Sequence, residues 1–203
     1  GAHHGAAGLM AFMCQPSPVF IEIAQKIATW NGTNWSTTGE FHTDYQQRGY
    51  GWCMRSLAHA IFLTPDNEPW KTSAKADLYL NVQRGTRFKN SPLNKLDIIW
   101  DDATPPVSDF DSGVPGCQQP TFMVEYQITE IPKVANAKLL SGTQQAELVA
   151  LADWICKFPV RFVNEATGGA WRAIGASRLT VSSVANTFAE SNWGAVQAYQ
   201  FRD

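Results

Sequence analysis

Arg48, Trp52, Arg55 and His59 follow one another at intervals of four, three and four residues. At about 100° per residue they share one face of a helix, and Asp44 and Tyr45 fall in the same sector, roughly 100° wide. Two guanidiniums, an imidazole, a carboxylate, a phenol and an indole make a richer face than the Lys and Glu of an ordinary solvated helix. On a uronic-acid polymer, Arg48 or Arg55 would neutralise the substrate carboxylate and so acidify the neighbouring C–H. His59, His4 or Tyr45 would then remove the proton, while Trp52 stacks on a sugar face. The same residues also suit a buried polar network that ties the helix to its neighbours, and their types and spacing leave both readings open.

A second set of carboxylates suits a different reaction. Glycoside hydrolysis needs two of them roughly 5–10 Å apart, and Asp44, Asp101, Asp102, Asp109, Asp111 and Glu125 are the candidates. Asp101 and Asp102 are placed as substrate-binding residues together with Trp52 and Asp44. Asp109-x-Asp111 has the donor chemistry for Ca²⁺ but lacks the rest of an EF-hand loop, and no other metal site is expected. The plainer role for these acids is to solvate a turn or cap a helix.

The elements that must carry these residues are mostly helical. The stretch 44–63 reads as one amphipathic helix, with Tyr50, Cys53, Met54, Leu57, Ala60 and Ile61 on its apolar face. Before it, residues 6–14 form a short apolar helix, and Ser17-Pro18 opens a second one that ends at Trp30-Asn31-Gly32. Its inner stripe is Phe20, Ala24, Ile27 and Ala28. After the Thr64-Pro65-Asp66-Asn67 stop comes a helix over 67–84, with Trp70, Ala74, Leu78 and Leu80 as its apolar positions. Residues 85–119 read as a long loop, since Ser91-Pro92, Pro105-Pro106 and Pro115-Gly116 break any period. Helices are expected again at 121–131, ended or kinked by Pro132, and at 143–157, stopped by Phe158-Pro159. Short extended pieces follow over 160–180, and the last apolar pattern suits a helix.

Composition bounds the rest. The 203 residues are 44% hydrophobic and 17% charged, which suits one domain with a sizeable core. A net charge of -2, with scattered basic residues, argues against a nucleic-acid partner. No apolar run is long enough to span a bilayer as a helix. The signatures GxSxG, HExxH, Walker A and GxGxxG are absent. Cys14, Cys53, Cys117 and Cys156 form no CxxC pair. Cys53 on an apolar face and Cys156 near a helix end favour buried free thiols, with three pairings open if they oxidise. Asn31 and Asn34 begin formal glycosylation sequons, a motif common by chance. The opening Gly-Ala-His-His suits an internal boundary or a processed terminus rather than a signal peptide.

Two segments, RGYGWCMRSLAHAIFLTPDNEPWK and LADWICKFPVRF, carry a resemblance. They are similar to parts of long, mostly uncharacterised bacterial proteins with the pattern R-G-x-A-W-x-x-R-x-L-x-x-A-x-x-x-T-P-D-x-x-P-x-K and, later, L-x-D-W-x-x-x-F-P-V. Arg48, Gly49, Trp52, Arg55, Leu57, Ala60, Thr64, Pro65, Asp66, Pro69 and Lys71 match the first, and Leu151, Asp153, Trp154, Phe158, Pro159 and Val160 the second. Gly51 stands where the pattern prefers alanine. The resemblance implies an (α/α) toroid of helical hairpins, distantly similar to polysaccharide lyases and glycosidases, of which this chain would be a fragment or a partial ring. In such a ring the Arg48 stripe would face a central cleft.

The expectation is therefore a mainly α domain of antiparallel hairpins. Its leading function is a carbohydrate-active or carbohydrate-binding module, lyase-like in its chemistry, with a polysaccharide or oligosaccharide partner and a periplasmic or extracellular address. The rival is a non-catalytic structural or assembly subunit, envelope- or virion-associated, that packs against other subunits or the rest of a longer chain. A glycan module should offer the stripe to an open cleft; an assembly subunit should bury it under neighbouring chains.

Overall fold

The computed structural model describes residues 7–33, 39–41, 48–90, 97–99, 117–160 and 178–182, and these are mainly helical. The helices are α1 (Ala7–Cys14), α2 (Pro18–Thr33), α3 (Arg48–Leu63), α4 (Pro69–Asn90), α5 (Thr121–Asn136) and α6 (Gly142–Ile155). Two short strands, β1 (Cys117–Pro120) and β2 (Arg178–Ser182), pair antiparallel.

The arrangement follows from where each helix is apolar. α3 touches α1, α2, α4 and α5, the last most extensively, and α6 packs on α4 and α5. All six residues of its expected apolar face, from Tyr50 to Ile61, are buried. They meet Ala24 and Ala28 of α2, Leu78 and Val82 of α4, Val124 and Ile131 of α5, and Leu148, Leu151 and Ile155 of α6 in one core. Small side chains bring helices close: an alanine Cβ at Gly51 would lie 2.8 Å from the Tyr126 carbonyl oxygen of α5.

Several boundaries differ from the sequence reading, each for a packing reason. α4 runs on to Asn90, so the first six residues of the expected loop are helical. Gly85 and Phe88 on their inward face are buried together with the preceding Arg84, and that burial holds the helix together. At the far end of the same stretch, residues 117–119 belong to β1. α5 passes through Pro132 to Asn136, because burial of Ile131, Val134 and Ala135 outweighs the one missing backbone donor. α2 extends to Thr33 and buries Asn31, which takes the acceptor side chain of the first sequon off the surface. Cys53 is buried and in no disulfide, as expected, but Cys156 is exposed. It stands at the C-cap of α6, where Leu151, Ala152 and Ile155 already occupy the inward positions. Among the described residues, no helix is long and apolar enough to cross a membrane.

Candidate functional site

The structure brings Arg48, Trp52, Arg55 and His59 together on one side of α3, and turns them toward α5. The Arg48 and Arg55 guanidinium carbons lie 5.7 and 5.5 Å from the centre of the Trp52 ring, within cation–π reach. Trp52 also meets the Tyr126 ring edge-on, with centroids 5.1 Å apart. Arg55 pairs with Glu130 at 3.6 Å, and Lys133 reaches the same carboxylate oxygen at 3.2 Å. All four stripe residues are half-buried, and Glu130 is buried. The stripe is thus a polar seam between two helices of one chain, its indole already in contact with cations and a second aromatic ring. His4, Asp44, Tyr45, Asp101, Asp102, Asp109 and Asp111 lie outside the described residues, and with them the candidate Ca²⁺ pair. Among the described residues no three His, Cys, Asp or Glu side chains gather as a metal site. Glu125 lies exposed on α5.

The seam has a consequence for acid stability. Burial, then the Arg55 charge, holds His59 below the ordinary histidine value of 6.5, with Lys133 adding to the effect and Glu130 opposing it. The unfolded chain therefore binds a proton at higher pH than the folded one. The resulting stability is fully present above about pH 6.5 and is lost as pH falls through the folded-state value. Urea midpoints should fall on acidification from pH 7 to pH 5, and His59→Gln should flatten the part of that fall due to this imidazole. An unchanged profile in the variant would remove His59 from the account.

A cleft of another character lies between α2 and α4. It has a volume of about 400 Å³, in the range of small-ligand sites. Buried Ala28, Phe41, Leu57 and Ala74 line its apolar part, and exposed Thr29, Thr33, Ser73 and Asp77 supply polar groups. Half-buried Trp70 lines it as well, its indole N–H donating to the Thr29 hydroxyl at 3.3 Å. Trp70, Ser73, Ala74 and Asp77 fall within one sector of α4, roughly 100° wide. Partial burial raises the Asp77 pKa above its ordinary 3.8.

Residues 39–41 form one wall of this cleft, and α4 holds them by two means. The fully buried Asn81 amide accepts from the Phe41 N–H at 2.7 Å and donates to the Gly39 carbonyl at 3.1 Å. Between those residues Glu40 pairs with Arg84 at 3.5 Å and Arg87 at 2.7 Å. Gly39 has φ +80, a conformation that glycine adopts without strain, and an added Cβ there would lie 3.5 Å from an Asp77 carboxylate oxygen. The Tyr50 hydroxyl donates to the Asn81 carbonyl from below, at 2.5 Å. Burial pushes that phenol well above its ordinary pKa, so it stays a neutral donor.

None of the cleft's polar residues stood out in the sequence. The sequence marks Trp70 only as an apolar position of α4, and it singles out none of Thr29, Thr33, Ser73 and Asp77 as a binding residue. The available signal was the shared face of Trp70, Ser73 and Asp77. On its own it cannot say that α2 will stand opposite. No family model, curated protein or solved structure matches the chain.

Proposed function

We propose that this chain is a glycan-binding helical module whose site is the cleft between α2 and α4. The observation that carries the reading is the lining of that cleft: the Trp70 indole and an apolar floor beside three hydroxyls and a carboxylate. A pyranose has the matching form, with C–H groups that pack on aromatic carbon and a girdle of hydroxyls that donate and accept. The Arg48–His59 stripe is assigned to the fold, since Arg55 pairs with Glu130 and Trp52 meets Tyr126 across the α3–α5 seam, and Arg48 lies over the Trp52 ring. The toroid arrangement belongs to the same proposal. It is supported by the succession of helices, in which α2 contacts α3, α3 contacts α4 and α5 contacts α6.

Calorimetric titration with a panel of soluble oligosaccharides tests the site. Trp70→Ala should weaken binding at least about tenfold, the scale of losing a central aromatic contact. Because Trp70 also packs on the core, Ser73→Tyr serves as a second variant that fills the cleft from an exposed position. It should keep the parent's circular dichroism and lose binding. A folded parent that binds no member of the panel would move the assignment to the assembly-subunit reading.

A further inference from the structure

We infer that the cleft selects neutral glycans over acidic ones, with Asp77 as the acceptor for sugar hydroxyls; this rests on the glycan reading above. Among the described lining residues Asp77 is the one ionisable side chain, and none of them is Lys, Arg or His. The cations close in sequence to the wall's contacts on α4, Arg84 and Arg87, are held by Glu40.

A uronate or sulfated sugar entering the cleft would bring its charge toward Asp77, with no cation among the described lining residues to offset the repulsion. A neutral pyranose meets no such opposition. An ionised carboxylate accepts hydrogen bonds and donates none, so Asp77 suits a pair of sugar hydroxyls as donors. The Thr33 hydroxyl donates to the Thr29 carbonyl at 2.9 Å and so offers a ligand an acceptor, while the Thr29 hydroxyl accepts from Trp70 and keeps its own proton to donate. The one indole N–H is directed to Thr29, so Trp70 offers its ring as packing surface rather than as a donor to the ligand.

The test is calorimetry on the full chain with hexasaccharides of matched length: neutral gluco-, manno- and xylo-oligosaccharides against galacturonate and alginate oligosaccharides. Parent, Asp77→Asn and Ser73→Tyr are compared. At least one neutral ligand should bind about tenfold or more tightly than any uronate, and Ser73→Tyr should abolish that binding. Asp77→Asn should weaken the neutral ligand about three- to tenfold, the range for one hydrogen-bonding group, and narrow the gap to the uronates. Uronates that bind as tightly as neutral sugars, with Ser73→Tyr sensitivity, would overturn the charge selectivity and leave the glycan site standing. Neutral binding untouched by both variants would overturn the assignment to this cleft. No binding of either class by folded protein would remove the glycan reading, and this inference with it.

Discussion

Gly51→Ala should destabilise the protein by about 1–2 kcal/mol, although alanine is the better helix former. In an exposed helix the exchange would stabilise by roughly 0.5–1 kcal/mol. Here the new Cβ would stand 2.8 Å from the Tyr126 carbonyl oxygen, 3.0 Å from its carbon and 3.2 Å from the Gln127 Cα. These are backbone atoms of α5, and they cannot swing aside as a side-chain tip can. The helices must move apart at their most extensive contact, and overpacking of this kind costs about 1–3 kcal/mol. The clash therefore outweighs the gain in propensity. Urea unfolding read by far-ultraviolet circular dichroism gives the answer through the midpoint at constant slope. A midpoint equal to or above the parent's would show that α5 yields at little cost, and that the close approach is not a fixed feature of the fold.

What the sequence disclosed was periodicity, and periodicity is local. Tyr50, Cys53, Met54, Leu57, Ala60 and Ile61 were legible as a core face because a 3.6-residue period is fixed by the helix itself. The grouping of Arg48, Trp52, Arg55 and His59 was legible on the same ground. Where that second face points was not, because it depends on Tyr126, Glu130 and Lys133, more than 65 residues further along. The end of α4 was misjudged for a related reason. Arg84 looks like a surface residue entering a loop, but it is 1% exposed and pairs with Glu40, a residue far back in the chain. The cleft is the extreme case. Trp70 and Asp77 share a face of α4, but the site exists only because Thr29, Thr33 and residues 39–41 are brought against that face.

Asn81→Leu should have the larger effect, about 2–5 kcal/mol, and should act on the cleft as well as on stability. The Asn81 amide is fully buried and joins three backbone groups: the Phe41 N–H, the Gly39 carbonyl and the Asp77 carbonyl. Leucine has nearly the same shape but offers neither donor nor acceptor. The Phe41 N–H and the Gly39 carbonyl would then lose these partners, at a cost of about 1–3 kcal/mol each. The Asp77 carbonyl loses less, since it also belongs to the helix ladder. Aspartate would supply the acceptor alone and would add a buried charge, so it should not rescue the fold. Because Gly39 and Phe41 line the cleft, releasing them should weaken oligosaccharide binding at temperatures where the variant is still folded. Glu40→Gln loosens the same three residues at their other anchor, through Arg84 and Arg87. Two anchors on one short segment should couple, so the double variant should depart from the sum of the single variants by at least about 0.5 kcal/mol. Strict additivity would mean that residues 39–41 do not act as one wall. Full stability in Asn81→Leu would mean that these backbone groups find other partners, and the amide would no longer explain how the cleft is held open.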